Sequence, residues 1–251
     1  MNEAAVLMDR MYRRQRYIYD ATRKFYLLGR DATIAELGAR PGDGVLEVGC
    51  GTGRNLVKMA RRYPQARFFG LDVSNEMLES ARAAIARAGL ESRVRVAQGD
   101  ATSFDAERLF GHPTFERVMI SYALSMIPPW REALAQAIDA LAPGGSLHIV
   151  DFGDQAGLPA PFRSGLNRWL AAFDVTPRVT MRAELAALAA SRGVRCEARD
   201  HLRGYAIPGL YSSGNSTVHT ETGLGYQPGM TIAAALTFSH LAARHMAASN
   251  Q

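Results

Sequence analysis

The sequence predicts an α/β fold with a doubly wound, mostly parallel sheet and an N-terminal helical segment. A glycine-rich turn at residues 49–53 follows a short apolar run and precedes a helical pattern. Strand-like segments then alternate with helix-like segments, which indicates parallel strands joined by helical crossovers. The length of 251 residues suits one such domain, with or without an appendage.

Short apolar and β-branched runs give the predicted strands: 44–48, 67–72, 94–98, 117–121 and 146–151. Helical patterns lie between them: 55–63, 75–88 and 129–141. Ser74 is the predicted N-cap of the second helix. Gly89 follows the predicted end of this helix, where glycine is common. In sheets of this kind, ligands bind beyond the carboxyl ends of the strands.

The composition argues against a zinc protein, a disulfide-bonded protein, a membrane-spanning protein and a secreted protein. The two cysteines, Cys50 and Cys196, form neither a zinc-binding spacing nor a disulfide framework. No run reaches the ~18 apolar residues of a membrane span, and the N-terminus does not resemble a signal peptide. We therefore expect a cytoplasmic protein with no transmembrane span and no bound metal.

The N-terminal segment is strongly basic. Seven basic residues and one acid lie between Arg10 and Arg30, and tyrosines recur every seven residues at Tyr12, Tyr19 and Tyr26. On a helix such spacing gives a stripe that drifts only ~20° per step. Arginine beside tyrosine suits an anionic membrane surface. The alternative is a solvated helix whose tyrosines cap the core.

Polar residues follow the predicted strands at the edge where a ligand would bind. Glu47 precedes the turn that contains Gly49, Gly51 and Gly53, and a carboxylate there suits a cationic ligand better than a pyrophosphate. The other strand ends carry further candidates. Asp72 could accept the hydroxyls of a ribose, and Asp100 with Ala101 could contact an adenine edge. Ser121 and Tyr122 follow the fourth strand, near the expected reaction centre. Each aspartate alone could instead be a helix cap or a turn residue.

Residues 40–205 resemble the class I S-adenosylmethionine-dependent methyltransferases. Glu47 and the three glycines match the family motif that holds the methionine part of the cofactor. The resemblance further implies that Asp72 takes the ribose and that Asp100, Ala101 and Ser121 lie at the cofactor. The competing interpretation is a nicotinamide-dependent oxidoreductase on the same fold, although Arg54 stands where its third glycine would be.

A narrower resemblance covers roughly residues 8–206. The segments 12–16, 18–20, 22–24, 28–31, 120–122, 125–128, 150–155 and 175–178 are similar to bacterial diacylglyceryl-homoserine N-methyltransferases, which complete the headgroup of betaine lipids. Related quinone and phospholipid methyltransferases share much of this pattern, so other small-molecule acceptors stay open. A third alternative is an inactive module that binds cofactor or membrane without turnover.

The narrower resemblance implies that an amine attacks the sulfonium methyl directly. Tyr19 and Tyr122 are the catalytic candidates, and with Tyr26 they could form an aromatic wall for the methylated cation. Arg30 and Arg178 are the candidates for contacting the substrate, Arg178 through the homoserine carboxylate. The alternative for each tyrosine is ordinary core packing. The implied partner is a lipid at an anionic membrane surface, with peripheral association at the inner face and no nucleic acid.

One predicted helix carries an apolar stripe edged by Arg163 and Arg168. Phe162, Leu166, Trp169, Leu170 and Phe173 fall on one helical face. Such a stripe could enter a membrane or cover acyl chains, or it could face the core.

Three regions are predicted along the chain. Residues 1–40 form a helical cap that contacts substrate or membrane, residues 41–206 form the cofactor-binding domain, and residues 207–251 form an atypical extension of low charge. Pro208 and Gly209 interrupt the expected closing strand of the sheet. The extension resembles the C-terminal end of flavin-dependent oxidoreductases, but it lacks the rest of that fold and implies no activity.

Overall fold

The computed structural model describes residues 27–171, 175–191, 195–198 and 206–212. The strands in these residues are β1 (Gly44–Val48), β2 (Arg67–Asp72), β3 (Val94–Gln98), β4 (Phe115–Ser121), β5 (Leu141–Phe152), β6 (Arg195–Ala198) and β7 (Ala206–Ser212). The helices are α1 (Arg30–Glu36), α2 (Arg54–Arg62), α3 (Asn75–Arg87), α4 (Ala106–Phe110), α5 (Trp130–Asp139), α6 (Ala160–Ala171) and α7 (Met181–Ser191).

All seven strands form one sheet, in the order β3-β2-β1-β4-β5-β7-β6. Strands β1 to β5 are parallel, and β7 pairs antiparallel with both β5 and β6. The strand order reverses between β1 and β4, which is where doubly wound sheets open a crevice for a ligand. The predicted doubly wound, mostly parallel sheet is therefore confirmed, and most of the predicted N-terminal helical segment lies outside the described residues.

The two faces of β1 bury different clusters. Leu46 and Val48 pack in a cluster with residues of α5 and α7, whereas Val45 packs with residues of α1, α2 and α3. Since side chains alternate along a strand, Glu47 points to the same face as Val45. This alternation buries a carboxyl group under the helices that flank the glycine turn.

The closing strand corrects the prediction that Pro208 and Gly209 interrupt it. β7 pairs with β5 from Ala206 to Ser212, with Pro208 opposite Val150. Within the described residues, β7 pairs with β6 from Ser212 to Gly209. The sheet therefore continues past residue 206, where the predicted domain ended.

Helix α6 divides its predicted apolar stripe between core and solvent. Leu170 is buried in a cluster with Tyr122 and Phe152, while Phe162 and Trp169 are 58% and 37% exposed. The core-facing interpretation thus holds for Leu170, the rings of Phe162 and Trp169 are open to solvent, and Phe173 lies outside the described residues. No helix in the described ranges is long and apolar enough to cross a membrane.

Candidate functional site

A cavity of about 420 Å³ opens at the carboxyl ends of β1 and β4. Its wall comes from the start of α1, the end of β1, the glycine turn, the first turns of α2 and the end of β4. The lining residues are Leu27, Arg30, Glu47, Gly49, Cys50, Gly51, Thr52, Arg54, Asn55, Lys58 and Ser121. This volume lies within the range of ~300–1,000 Å³ that is usual for small-molecule sites.

The glycine turn has the left-handed backbone that the sequence predicts. Gly49, Gly51 and Gly53 have φ angles of 72°, 54° and 76°, a region that side chains other than glycine rarely adopt. The N–H groups of Gly49 and Cys50 both donate to the carbonyl oxygen of Leu71, at 2.8 and 2.9 Å. A Cβ atom at Gly49 would lie 2.6 Å from the Cβ of Ala123, so this position also lacks space.

Glu47 lies in the cavity wall and is 1% exposed. Its Oε1 accepts a hydrogen bond of 2.8 Å from Nδ2 of Asn55 on α2. Burial raises the pKa of Glu47 to about 8, against the opposing effects of the Asn55 hydrogen bond and the charge of Arg30. Among the described residues, Glu47 Oε2 is buried without a hydrogen-bond partner.

The cavity wall also includes Arg30 and Ser121. Arg30 is 7% exposed, and its Nε donates to the carbonyl oxygen of Leu27 at 3.1 Å. Helix α1 is held to α2 through Asp31, whose carboxylate contacts Arg54 at 3.0 Å and Lys58 at 2.6 Å. Ser121 Oγ is a second buried atom of the cavity wall with no partner in the described ranges.

The aspartates at the ends of β2 and β3 do not line this cavity, but they order the adjacent loops. Asp72 accepts from the N–H of Gly51 at 2.8 Å and from the N–H of Ser74 at 3.0 Å. Asp100 accepts from both the N–H and the hydroxyl of Thr102. Ala101 packs against the core cluster on the side of α5. The predicted cap Ser74 is confirmed, since its hydroxyl accepts from Met77 N.

Two predicted residues have other roles in the structure. Tyr122 is 2% exposed, its ring packs edge-on against Phe152, and its hydroxyl donates to the carbonyl oxygen of Leu28 at 2.6 Å. Arg178 donates to the carbonyl oxygens of Leu124 and Ile127, at 3.1 and 2.9 Å. Neither side chain lines the cavity. The two other candidates from the N-terminal segment, Tyr19 and Tyr26, lie outside the described residues.

The structure also shows site residues that the sequence analysis did not identify. Asn55 fixes one oxygen of Glu47, and Lys58 and Arg54 place two positive charges in the cavity wall. Buried Asp151, which the sequence already places at the end of the fifth predicted strand, accepts from the N–H groups of Ser125 and Phe152 and so holds the loop after β4. The only sequence signal for Asn55 was its place in the first turn of the helix that follows the glycines.

Residues 45–145 match the family whose model is described as a methyltransferase domain. These residues, fewer than half of the chain, are similar to methyltransferase domains. This finding confirms the predicted domain class and its cofactor. The match covers the strands from β1 to the start of β5 and therefore includes the cavity wall formed by the glycine turn.

The relatives differ in the acceptors that their names state. The chain is 34% identical over 124 residues to ribosomal RNA small subunit methyltransferase C of Pseudomonas aeruginosa (strain LESB58), covering 49% of this chain and 36% of that protein. It is 34% identical over 140 residues to the ubiquinone/menaquinone biosynthesis C-methyltransferase UbiE of Desulfotalea psychrophila, covering 53% of each. The chain thus spans about half, or less, of the length of these relatives.

A solved structure shows the same fold. An O-methyltransferase family protein from Burkholderia thailandensis superposes with a TM-score of 0.61 at 20% identity, over 78% of this chain and 58% of that protein.

The residues of the methyltransferase domain fit a cofactor that carries positive charge and hydroxyl groups. Glu47 Oε2 and Ser121 Oγ are buried polar atoms of two residues in the cavity wall, and both atoms lack a partner among the described residues. A buried polar atom without a hydrogen bond costs ~1–3 kcal/mol, so a ligand that donates to these atoms gains that energy on binding. No group of three His, Cys, Asp or Glu residues able to hold a metal occurs in the described ranges.

Proposed function

We propose that this protein transfers methyl groups from S-adenosylmethionine to the amine of a lipid headgroup, with diacylglyceryl-homoserine as the acceptor and its trimethylated betaine lipid as the product. The observation that carries the lipid proposal is the exposed apolar surface of α6. Phe162 and Trp169 are the largest exposed apolar side chains of this helix, and Arg163 and Arg168 lie beside them. Aromatic rings with arginine at their edges suit an anionic membrane surface.

The position of α6 supports a substrate that enters from a membrane. Leu170 of α6 packs in one cluster with Leu27, which lines the cavity, and with Tyr122, which follows β4. The exposed rings therefore belong to a helix that is packed beside the site. The N-terminal segment, with its arginines and tyrosines, is proposed to complete this membrane-facing cap.

When bound, S-adenosylmethionine supplies a methyl group on a positively charged sulfur, which a neutral amine can attack in line. The protein's own residues align the reactants and exclude water. The glycine turn offers main-chain atoms at close approach, and Glu47, oriented by Asn55, provides a carboxyl group for the positive charge. We propose that Tyr19 and Tyr26 contact the acceptor from the N-terminal cap and that Arg30 contacts it from the cavity wall.

The hydrogen bonds of Arg178 support a different role from that of the carboxylate ligand that the resemblance implies. Its two hydrogen bonds to the loop after β4, together with those of Asp151, hold the backbone next to Ser121. We therefore propose Arg178 as a residue that positions this loop. The C-terminal resemblance to flavin-dependent oxidoreductases contributes no activity to this proposal.

The proposed function predicts labelled lipid when the full chain is incubated with methyl-labelled S-adenosylmethionine and vesicles that contain diacylglyceryl-homoserine. Parallel reactions contain phosphatidylethanolamine, a demethylated quinone precursor or ribosomal RNA. Label in the homoserine lipid alone, with mass increments of successive methyl groups, supports the proposal. Label confined to the quinone or the RNA would contradict it and assign the acceptor class of those relatives instead.

A variant pair tests the role of α6 in the same assay. We expect the double variant Phe162→Ser and Trp169→Ser to lose about tenfold or more of its activity on vesicles, because it loses apolar surface that enters the membrane. Val179→Ser is the matched control, since Val179 is 64% exposed and lies outside α6. The double variant and the Val179→Ser control should both bind S-adenosylhomocysteine with the affinity of the original chain. An equal loss of activity on vesicles in the two proteins would contradict the role of α6.

A further inference from the structure

Two basic side chains of α2 line the cavity beside the glycine turn. Arg54 is the first residue of this helix and Lys58 follows one turn later, so both project from the same helical face. Their side chains are 34% and 45% exposed, which leaves part of each open to a ligand. Arg30 of α1 is a third base in the wall, and the acid among the described lining residues is Glu47. Basic side chains therefore outnumber acidic ones in this wall.

Arg54 and Lys58 already hold one carboxylate between them, that of Asp31 on α1. Nη2 of Arg54 lies 3.0 Å from Oδ1 of Asp31, and Nζ of Lys58 lies 2.6 Å from Oδ2. The guanidinium and the ammonium are thus spaced to match the two oxygens of a single carboxylate. Asp31 itself is 60% exposed and does not line the cavity. Since each cationic group has more N–H donors than these contacts use, both can bind a second anion.

The two cations face α1, on the β4 side of the glycine turn. The end of α1 is joined to β4 by a hydrogen bond of 3.0 Å from Arg117 Nε to the carbonyl oxygen of Leu37. The aspartates at the ends of β2 and β3, which the resemblance assigns to the ribose and the adenine, lie across β1 from β4 and do not line the cavity. The wall formed by α1 and α2 therefore lies away from the expected contacts of the adenosine.

We propose that Arg54 and Lys58 form a subsite for the carboxylate of the methyl acceptor. This inference rests on the proposed function, since the homoserine headgroup carries a carboxylate beside the amine that is methylated. The resemblance assigns that carboxylate to Arg178, but Arg178 donates to two backbone carbonyls and does not line the cavity. Charge-assisted hydrogen bonds from the two cations anchor the headgroup, while its amine stays free for methyl transfer.

The experiment is calorimetric titration of the full chain in the presence of S-adenosylhomocysteine with three soluble headgroups: glyceryl-homoserine, its carboxamide and glycerophosphoethanolamine. We expect glyceryl-homoserine to bind about tenfold or more tightly than either of the others, because only its carboxylate fits the two cations. Equal affinity for the carboxylate and the carboxamide, tighter binding of the phosphate compound, or binding of none of the three would overturn the proposal. A chain that binds glyceryl-homoserine in this way but does not methylate the homoserine lipid would refute the proposed function alone.

Lys58→Met removes one cation and keeps the length of the side chain. It should weaken the binding of glyceryl-homoserine about tenfold and leave the affinities for the carboxamide and for S-adenosylhomocysteine unchanged. Arg61→Met is the matched control, because Arg61 is an exposed base of the same helix that does not line the cavity. A loss of affinity for S-adenosylhomocysteine in Lys58→Met but not in Arg61→Met would overturn the proposal, since the cations would then serve the cofactor.

Asp31→Asn distinguishes an anion subsite from a contact that only holds α1 on α2. This variant removes the negative charge that competes for the two cations, so the affinity for glyceryl-homoserine should rise about threefold. If the ion pairs served only to hold α1, Asp31→Asn and Lys58→Met would both weaken binding, and that result would overturn the proposal. Both variants should fold, because ion pairs this exposed contribute little to stability.

Discussion

Replacing Gly49 with alanine is expected to lower the affinity for S-adenosylhomocysteine by about a hundredfold or more. Gly49 has a φ of 72°, where a side chain costs ~1–2 kcal/mol, and the new Cβ would lie 2.6 Å from the Cβ of Ala123. Because the contact is with a short side chain fixed to the backbone, the turn itself must move. Gly49 lines the cavity, so the movement changes the binding surface. A loss of ~2.7 kcal/mol corresponds to the expected factor.

The variant Gly111→Ala is a control that introduces the same backbone strain as Gly49→Ala but no steric clash. Gly111 has a similar φ of 70°, but a Cβ there meets nothing within 4 Å. This variant should lose some thermal stability and keep the affinity of the original chain, as measured by calorimetry alongside Gly49→Ala. If the two variants bound S-adenosylhomocysteine equally well, the role of the glycine turn in the site would be refuted.

The second large effect is expected for Asp72→Ala, with a loss of about a hundredfold in affinity for S-adenosylhomocysteine. The Asp72 carboxylate accepts from the N–H of Gly51 in the turn and from the N–H of Ser74 at the start of α3. Its removal leaves two backbone donors unpaired and frees the turn. Hydrogen bonds to a charged group contribute ~1.5–3 kcal/mol, which gives the size of the effect. If the ribose also binds here, the loss is larger.

Asp105→Ala is the control for a generic loss of an aspartate. Asp105 caps α4, where its side chain accepts from the N–H of Arg108 at 3.0 Å. Loss of such a cap costs ~1 kcal/mol of stability. We expect a lower melting temperature with unchanged binding of S-adenosylhomocysteine. An Asp72→Ala protein that binds as well as Asp105→Ala would show that Asp72 does not organise the site.

The first three strands were predictable because each is a short apolar run between polar or turn residues. Their bounds agree with the prediction at 44–48, 67–72 and 94–98. β5 begins at Leu141, five residues earlier than predicted, because the register with β4 shifts and accommodates residues 142–145. Pro143, Gly144 and Gly145 indicate a turn in the sequence, and only the pairing with β4 shows that the strand continues past them.

The glycine turn and Glu47 were predictable since their roles depend on local backbone and charge. Tyr122 and Arg178 were not, because their partners are set by the tertiary fold. The hydroxyl of Tyr122 bonds to a carbonyl 94 residues away, and the guanidinium of Arg178 bonds to carbonyls more than 50 residues away. A tyrosine or arginine near a predicted site therefore does not reveal whether its polar group serves the ligand or the backbone.

The central claim is that the cavity beside the glycine turn binds the adenosyl-sulfur cofactor of methyl transfer and not a dinucleotide. The most direct measurement is calorimetric titration of the purified full chain with S-adenosylhomocysteine and, separately, with NADH. The buried polar atoms Glu47 Oε2 and Ser121 Oγ, which lack a partner among the described residues, lead us to expect saturable one-site binding of S-adenosylhomocysteine and none of NADH. Binding of NADH with no heat from S-adenosylhomocysteine would contradict the claim.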